Sequence, residues 1–101
     1  MHTKKLRSHE DALIVELRDP EEAAAYLSAA LEEDDLETFL LALKRVAQAQ
    51  GISKVAAETA MNRQHIYRAL GEGGNPTLKN LMAILSVLHF GLEVKAKKKA
   101  G

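Results

Sequence analysis

The chain has no cysteine, only four aromatic residues and a formal net charge of zero. Without cysteine there is no disulfide and no thiolate to bind a metal or attack a substrate. Few aromatics with 47% apolar residues favour helices over a β-sandwich, and 101 residues suit one domain with a modest core. No apolar run is long enough to span a bilayer and no signal peptide is evident, so a cytoplasmic protein without membrane contact is expected. His2, His9, His65 and His89 share no metal-ligand spacing, and no nucleophile, base and orienting group form a triplet. Neither a metal, a cofactor nor a small-molecule substrate is therefore expected, and catalysis has no support.

The zero net charge conceals a strong segregation. Residues 10–37 carry eleven carboxylates against Arg18 alone, a net of minus ten. Residues 44–80 carry Lys44, Arg45, Lys54, Arg63, Arg68 and Lys79 against Glu58 and Glu72, a net of plus four. The basic stretch suits a nucleic-acid face. The acidic one suits either a partner face or simply the solvated side of two helices with favourable N-terminal charge.

The layout is read from caps and apolar spacing. Ser8 with Asp11 resembles a capping box before Leu13, Ile14 and Leu17, although Ile14-Val15 also suits a strand. Asp19-Pro20-Glu21-Glu22 starts a helix predicted over about 20–33, with Ala23, Leu27, Ala30 and Leu31 on one face. Asp35 opens the next, where Leu36, Phe39, Leu40, Leu43, Val46 and Ala47 recur at helical spacing until Gly51. Ser53 and Asn62 each read as the cap of a short helix. After the glycine-rich GEGGNP at 71–76, Thr77 caps a last helix with Leu78, Leu81, Met82, Leu85 and Leu88 inward. Leu92-Glu93-Val94 alternates like a short strand or extended arm before a basic tail. The expected fold is an all-α compact bundle of five to six helices. One domain over 1–101 would comprise an arm (1–10), acidic helices (11–50), a helix-turn-helix (51–70), the last helix (77–90) and the tail (95–101).

Residues 51–70, GISKVAAETAMNRQHIYRAL, carry the functional signal. Small residues at Ala56, Ala60 and Ala69 allow two helices to cross closely, and Val55, Met61 and Ile66 supply a shared core. A helix fits the major groove, and a helix-turn-helix braces one there with its N-terminal residues at the bases. Asn62, Arg63, Gln64, Tyr67 and Arg68 are the groove-facing candidates. Arg63 can bond guanine bidentately, Gln64 can do so with adenine, and Tyr67 can reach a phosphate or a thymine methyl. Lys44, Arg45, Lys54 and Lys79 are candidate phosphate contacts that would set affinity and salt dependence. Ala60 falls where the turn needs positive φ, usually glycine's place. The loop at 71–76 lacks the lysine and the strand of a P-loop, so it reads as a connecting turn or a backbone-contacting loop.

With these residues in hand, the chain resembles the HigA-like addiction-module antidote proteins of the lambda-repressor-like (Cro or XRE) helix-turn-helix class. The resemblance spans about residues 11–94 and rests on LRDPEEAAAYLSAAL at 17–31, NRQHIYRAL at 62–70 and GNPTLKNLMAIL at 74–85. It departs at Ala60-Met61, where a glycine-plus-aliphatic pair is usual, and in a longer basic tail. The resemblance implies an antitoxin that neutralises a RelE/HigB-like mRNA interferase and represses its own operon, binding double-stranded operator DNA as a homodimer. Such toxins are generally basic, which points to the acidic block as the toxin-facing surface. Two other readings stay open: a toxin-binding protein with little DNA affinity, and a stand-alone prophage-type repressor.

Overall fold

The computed structural model describes residues 11–97, in which all regular structure is helical. In chain order these are α1 (residues 11–16), α2 (Pro20–Glu32), α3 (Leu36–Gln50), α4 (Ile52–Thr59), α5 (Arg63–Leu70) and α6 (Leu78–Val87). The expected Ser8 cap, the arm at 1–10 and the tail beyond residue 97 lie outside the described residues.

Helix wins over strand at Ile14-Val15 because Leu13 and Leu17, four apart, share one side; the Leu17 amide donates to the Leu13 carbonyl at 2.9 Å and its side chain is buried. At the start of α2, Asp19 Oδ1 accepts from the Glu21 and Glu22 amides at 2.8 and 3.4 Å, and Pro20 fills the first helical position. The turn into α3 places Asp34 at φ 60°, a left-handed conformation that aspartate tolerates better than most residues. Asp35 adopts the extended backbone of a cap, yet its carboxylate accepts from the Thr38 hydroxyl at 2.6 Å rather than from a backbone amide.

α3 is the central helix. It packs against α2 on one side and against α4 and α5 on another, while α6 packs on α4. Leu40, Leu43 and Val46 of α3 meet Leu17, Val55, Ile66, Leu70 and Ile84 in the fully buried centre. Each such leucine or isoleucine contributes about 1.5–3 kcal/mol. Gln50 ties the last turn of α3 to the α1–α2 junction, its Nε2 donating to the carbonyls of Leu17 and Arg18 at 2.8 and 3.0 Å.

Several expectations are corrected. Among the described residues there is no strand, and residues 90–97 have no regular structure: in an all-helical fold Leu92-Glu93-Val94 has no strand to pair with. Leu31, Leu36, Leu78 and Met82 are exposed rather than inward. Ile84, which the expected stripe omits, lies on the opposite side of Leu85 from Met82, so burying it turns Met82 outward. Leu78 and Leu36 are the first residues of their helices, beyond the edge of the core. Ser53 is not a cap: Gly51, at φ 120°, ends α3 and starts α4 at once, which places Ser53 inside the helix.

Candidate nucleic-acid interface

α4 and α5 form two short helices joined by residues 60–62. Ala60 adopts φ 60° and ψ 21°, so the alanine does take the left-handed conformation that the sequence left open, and Thr59 closes α4 by donating from Oγ1 to the Val55 carbonyl at 2.6 Å. Asn62 is extended, and its Oδ1 accepts from the His65 amide at 2.7 Å. One side of α5 is fixed by the buried pair Ile66 and Leu70, four residues apart. The other side is left to solvent.

That solvent side carries Arg63, Gln64, His65 and Arg68, all exposed, with Tyr67 half-buried beside them. Asn62 stands at its head, so the five groove-facing candidates lie along one short helix and its cap. The Arg63 guanidinium donates to the Ser53 hydroxyl on α4. Lys44 of α3 places its Nζ 5.9 Å from the Tyr67 ring centroid, within cation–π reach. Lys54 and Lys79 are exposed on α4 and α6. Arg45, expected beside Lys44 as a phosphate contact, instead turns to α2: it is half-buried, with Nη1 donating to the Tyr26 hydroxyl at 3.0 Å. Among the described residues, Arg63, Arg68, Lys54 and Lys79 have no carboxylate partner; the ion pairs there involve Lys95 and Lys97.

The loop following α5 shapes the edge of this face. Gly73 has φ 73°, and at Gly74 an added Cβ would stand 2.1 Å from the Ala69 carbonyl oxygen, so the backbone passes where only glycine fits. Thr77 Oγ1 accepts from the Asn80 amide at 3.0 Å and opens α6. Between α5 and α6 lies a cleft of about 370 Å³ lined by His65, Arg68, Asn75, Thr77 and Asn80. Sequence reasoning missed His65, Asn75 and Asn80 as members of this surface. Their signal was available for His65 alone, which sits among the recognised residues; the other two join only through the fold. No group of three His, Asp or Glu side chains among the described residues could hold a metal ion. Among the described residues, no helix is long and apolar enough to cross a membrane.

The model of the family described as "probable addiction module antidote protein" matches residues 9–96. The chain belongs to this antidote family. The antidote is also similar to an uncharacterised protein of Haemophilus influenzae, 33% identical over 82 residues that span 81% of this chain and 84% of that protein. No solved structure matches it. Family membership gives the antidote a toxin as partner in general terms and points to a regulatory role.

Proposed function

We propose that the antidote is a DNA-binding antitoxin that represses its own operon and neutralises a RelE/HigB-like toxin. The observation that carries the DNA half is the solvent side of α5: Arg63, Gln64, His65 and Arg68 stand exposed, and without carboxylate partners among the described residues, on a helix locked by Ile66 and Leu70. In this reading α4 and α5 are a lambda-repressor-like helix-turn-helix. Asn62, Arg63, Gln64, Tyr67 and Arg68 enter the major groove, and Lys44, Lys54 and Lys79 meet phosphates. The cleft between α5 and α6 adds Asn75 and Thr77 as backbone contacts. A two-fold dimer would present two recognition helices about 34 Å apart, one DNA turn. Val94 and the exposed Leu78 and Met82 of α6 are its candidate surface.

The toxin half draws on the exposed Glu32, Glu33, Asp34, Asp35 and Glu37 around the α2–α3 turn, complementary to a basic partner. Charge reversal at Glu32, Glu33, Asp34 and Asp35 should weaken toxin binding at low salt, and unchanged affinity would remove the assignment. This acidic face also supports a second reading, a toxin-binding protein with little DNA affinity.

The deciding experiment is binding of the purified protein to its own upstream promoter and to a scrambled duplex across a salt titration, since the phosphate contribution falls steeply with salt. A promoter preference that survives salt is expected. Equal or salt-erased binding would leave the protein-interaction reading in its place.

A further inference from the structure

The α2–α3 turn carries a feature that the basic face does not use. Leu31 and Leu36 flank it, 48% and 53% exposed. With Phe39, Leu81 and Leu92 they line a cleft of about 290 Å³ edged by Asp34 and Asp35. A narrower pocket of about 70 Å³ includes Leu31, Phe39 and Leu92 again and runs on to Leu27, Leu85 and Phe90. Exposed Glu32, Glu33 and Glu37 extend the acidic surround. Carboxylates around an apolar floor repel phosphate and fit a peptide that mixes apolar and basic side chains.

The chain itself supplies such a segment. Beyond α6, Leu92 forms one wall of the cleft, Lys95 Nζ stands 3.8 Å from Glu32 Oε1, and Lys97 Nζ stands 3.4 Å from Asp34 Oδ2. These pairs join residues 63 positions apart. All four side chains are 71–80% exposed, so solvent screens the pairs and holds them weakly. Val94 is 98% exposed and adds no burial. The segment matches the cleft in chemistry while filling it poorly.

We propose that this acid-edged cleft is the docking site for a basic, apolar-studded segment of the toxin, and that Lys95 and Lys97 hold its acidic edge in the free antidote as a weak internal stand-in. The identity of the partner as a toxin rests on the antitoxin reading; the cleft's preference for such a segment does not. The tether gives the stand-in a millimolar-scale effective concentration, roughly, enough to exclude weak basic ligands and too little to exclude a tight partner.

The probe is a synthetic peptide of residues 90–101, FGLEVKAKKKAG, titrated at low salt into the full chain while amide shifts of Leu31, Leu36 and Asp34 are followed by NMR. Lys95→Glu with Lys97→Glu should release the stand-in and tighten peptide binding by about three- to tenfold. Glu32→Gln with Asp34→Asn, which keeps a residue tolerant of the left-handed turn at 34, should abolish it, as should replacing the peptide's lysines by glutamate. Equal peptide binding by all three chains, or none by any, would overturn the proposal. Sedimentation showing that the unaltered chain pairs through exchanged tails, lost in Lys95→Glu with Lys97→Glu, would assign the cleft to a second copy and overturn it too. A toxin neutralised equally by the Glu32→Gln, Asp34→Asn chain would overturn the dock and leave the antitoxin reading intact. Peptide binding in a chain that neutralises no toxin would do the reverse.

Discussion

The guanidinium of Arg63, at the first position of α5, donates a hydrogen bond to the hydroxyl of Ser53 on α4. In the proposed DNA-binding role, the side chain assigned to read guanine would therefore be held across the two helices in the free protein. Both Arg63 and Gln64 are exposed and outside the core, so replacing them should leave the fold intact. Arg63→Ala with Gln64→Ala should cost about 1–3 kcal/mol of discrimination per lost base contact, or roughly five- to 150-fold each, with toxin binding unchanged. Fluorescence anisotropy against operator and scrambled duplexes reads the first, and toxin titration the second. Parallel loss of both activities would refute separate surfaces.

Gly74 and Gly73 are adjacent and should respond differently to the same substitution. At Gly74 a methyl group would meet the Ala69 carbonyl oxygen at 2.1 Å, and backbone must move to admit it. Gly73 has open space and only its φ of 73° to oppose a side chain. Gly74→Ala should lose about 1–3 kcal/mol or more, and Gly73→Ala about 1 kcal/mol. Thermal melts should separate them by several degrees, about 4–8 °C per kcal/mol in a domain of this size. Equal shifts would show that the loop relaxes freely.

Ala60 holds φ 60° and ψ 21° with its Cβ intact. Removing that Cβ relieves about 1–2 kcal/mol of left-handed strain, offset in part by the greater freedom glycine gives the unfolded chain. Ala60→Gly should therefore raise the melting temperature or leave it unchanged. A clear loss would mean the alanine methyl supplies packing worth more than the strain.

The features legible in the sequence are those encoded within a few residues. Asp19, Asn62 and Thr77 each announce a helix start three residues or fewer from the amide they accept, and the Ile66 and Leu70 spacing fixes which side of α5 faces out. Ala60 was placed in the turn because it stands just before the Asn62 cap, but its left-handed backbone was left open, since no residue pattern near it fixes φ. Ser53 misled because a serine outranks glycine as a cap on chemistry alone, whereas Gly51 wins by adopting a backbone that serine would resist. The remainder depends on partners distant in the chain. Nothing near Arg45 points to Tyr26, 19 residues earlier, and nothing near Gln50 points to Leu17. Asn75 and Asn80 join the edge of the basic face only once the glycine loop folds back on Ala69.

Lys54, Lys79 and Arg45 make the division between phosphate contacts and structural cations measurable. Each phosphate contact to duplex DNA contributes about −0.9 to the slope of log K against log salt. Lys54 and Lys79 are exposed on either side of α5 in the chain, without carboxylate partners among the described residues. Lys54→Ala and Lys79→Ala should each flatten the slope by about that amount while leaving the melting temperature in place. Arg45 is half-buried against Tyr26, with a buried Nε that has no hydrogen-bond partner among the described residues. Arg45→Ala should therefore leave the slope unchanged and alter stability, by about 0.5–1.5 kcal/mol for the lost bond to Tyr26, offset by relief of the unpaired Nε. A flattened slope for Arg45→Ala with unchanged stability would mean that this side chain leaves Tyr26 for the DNA.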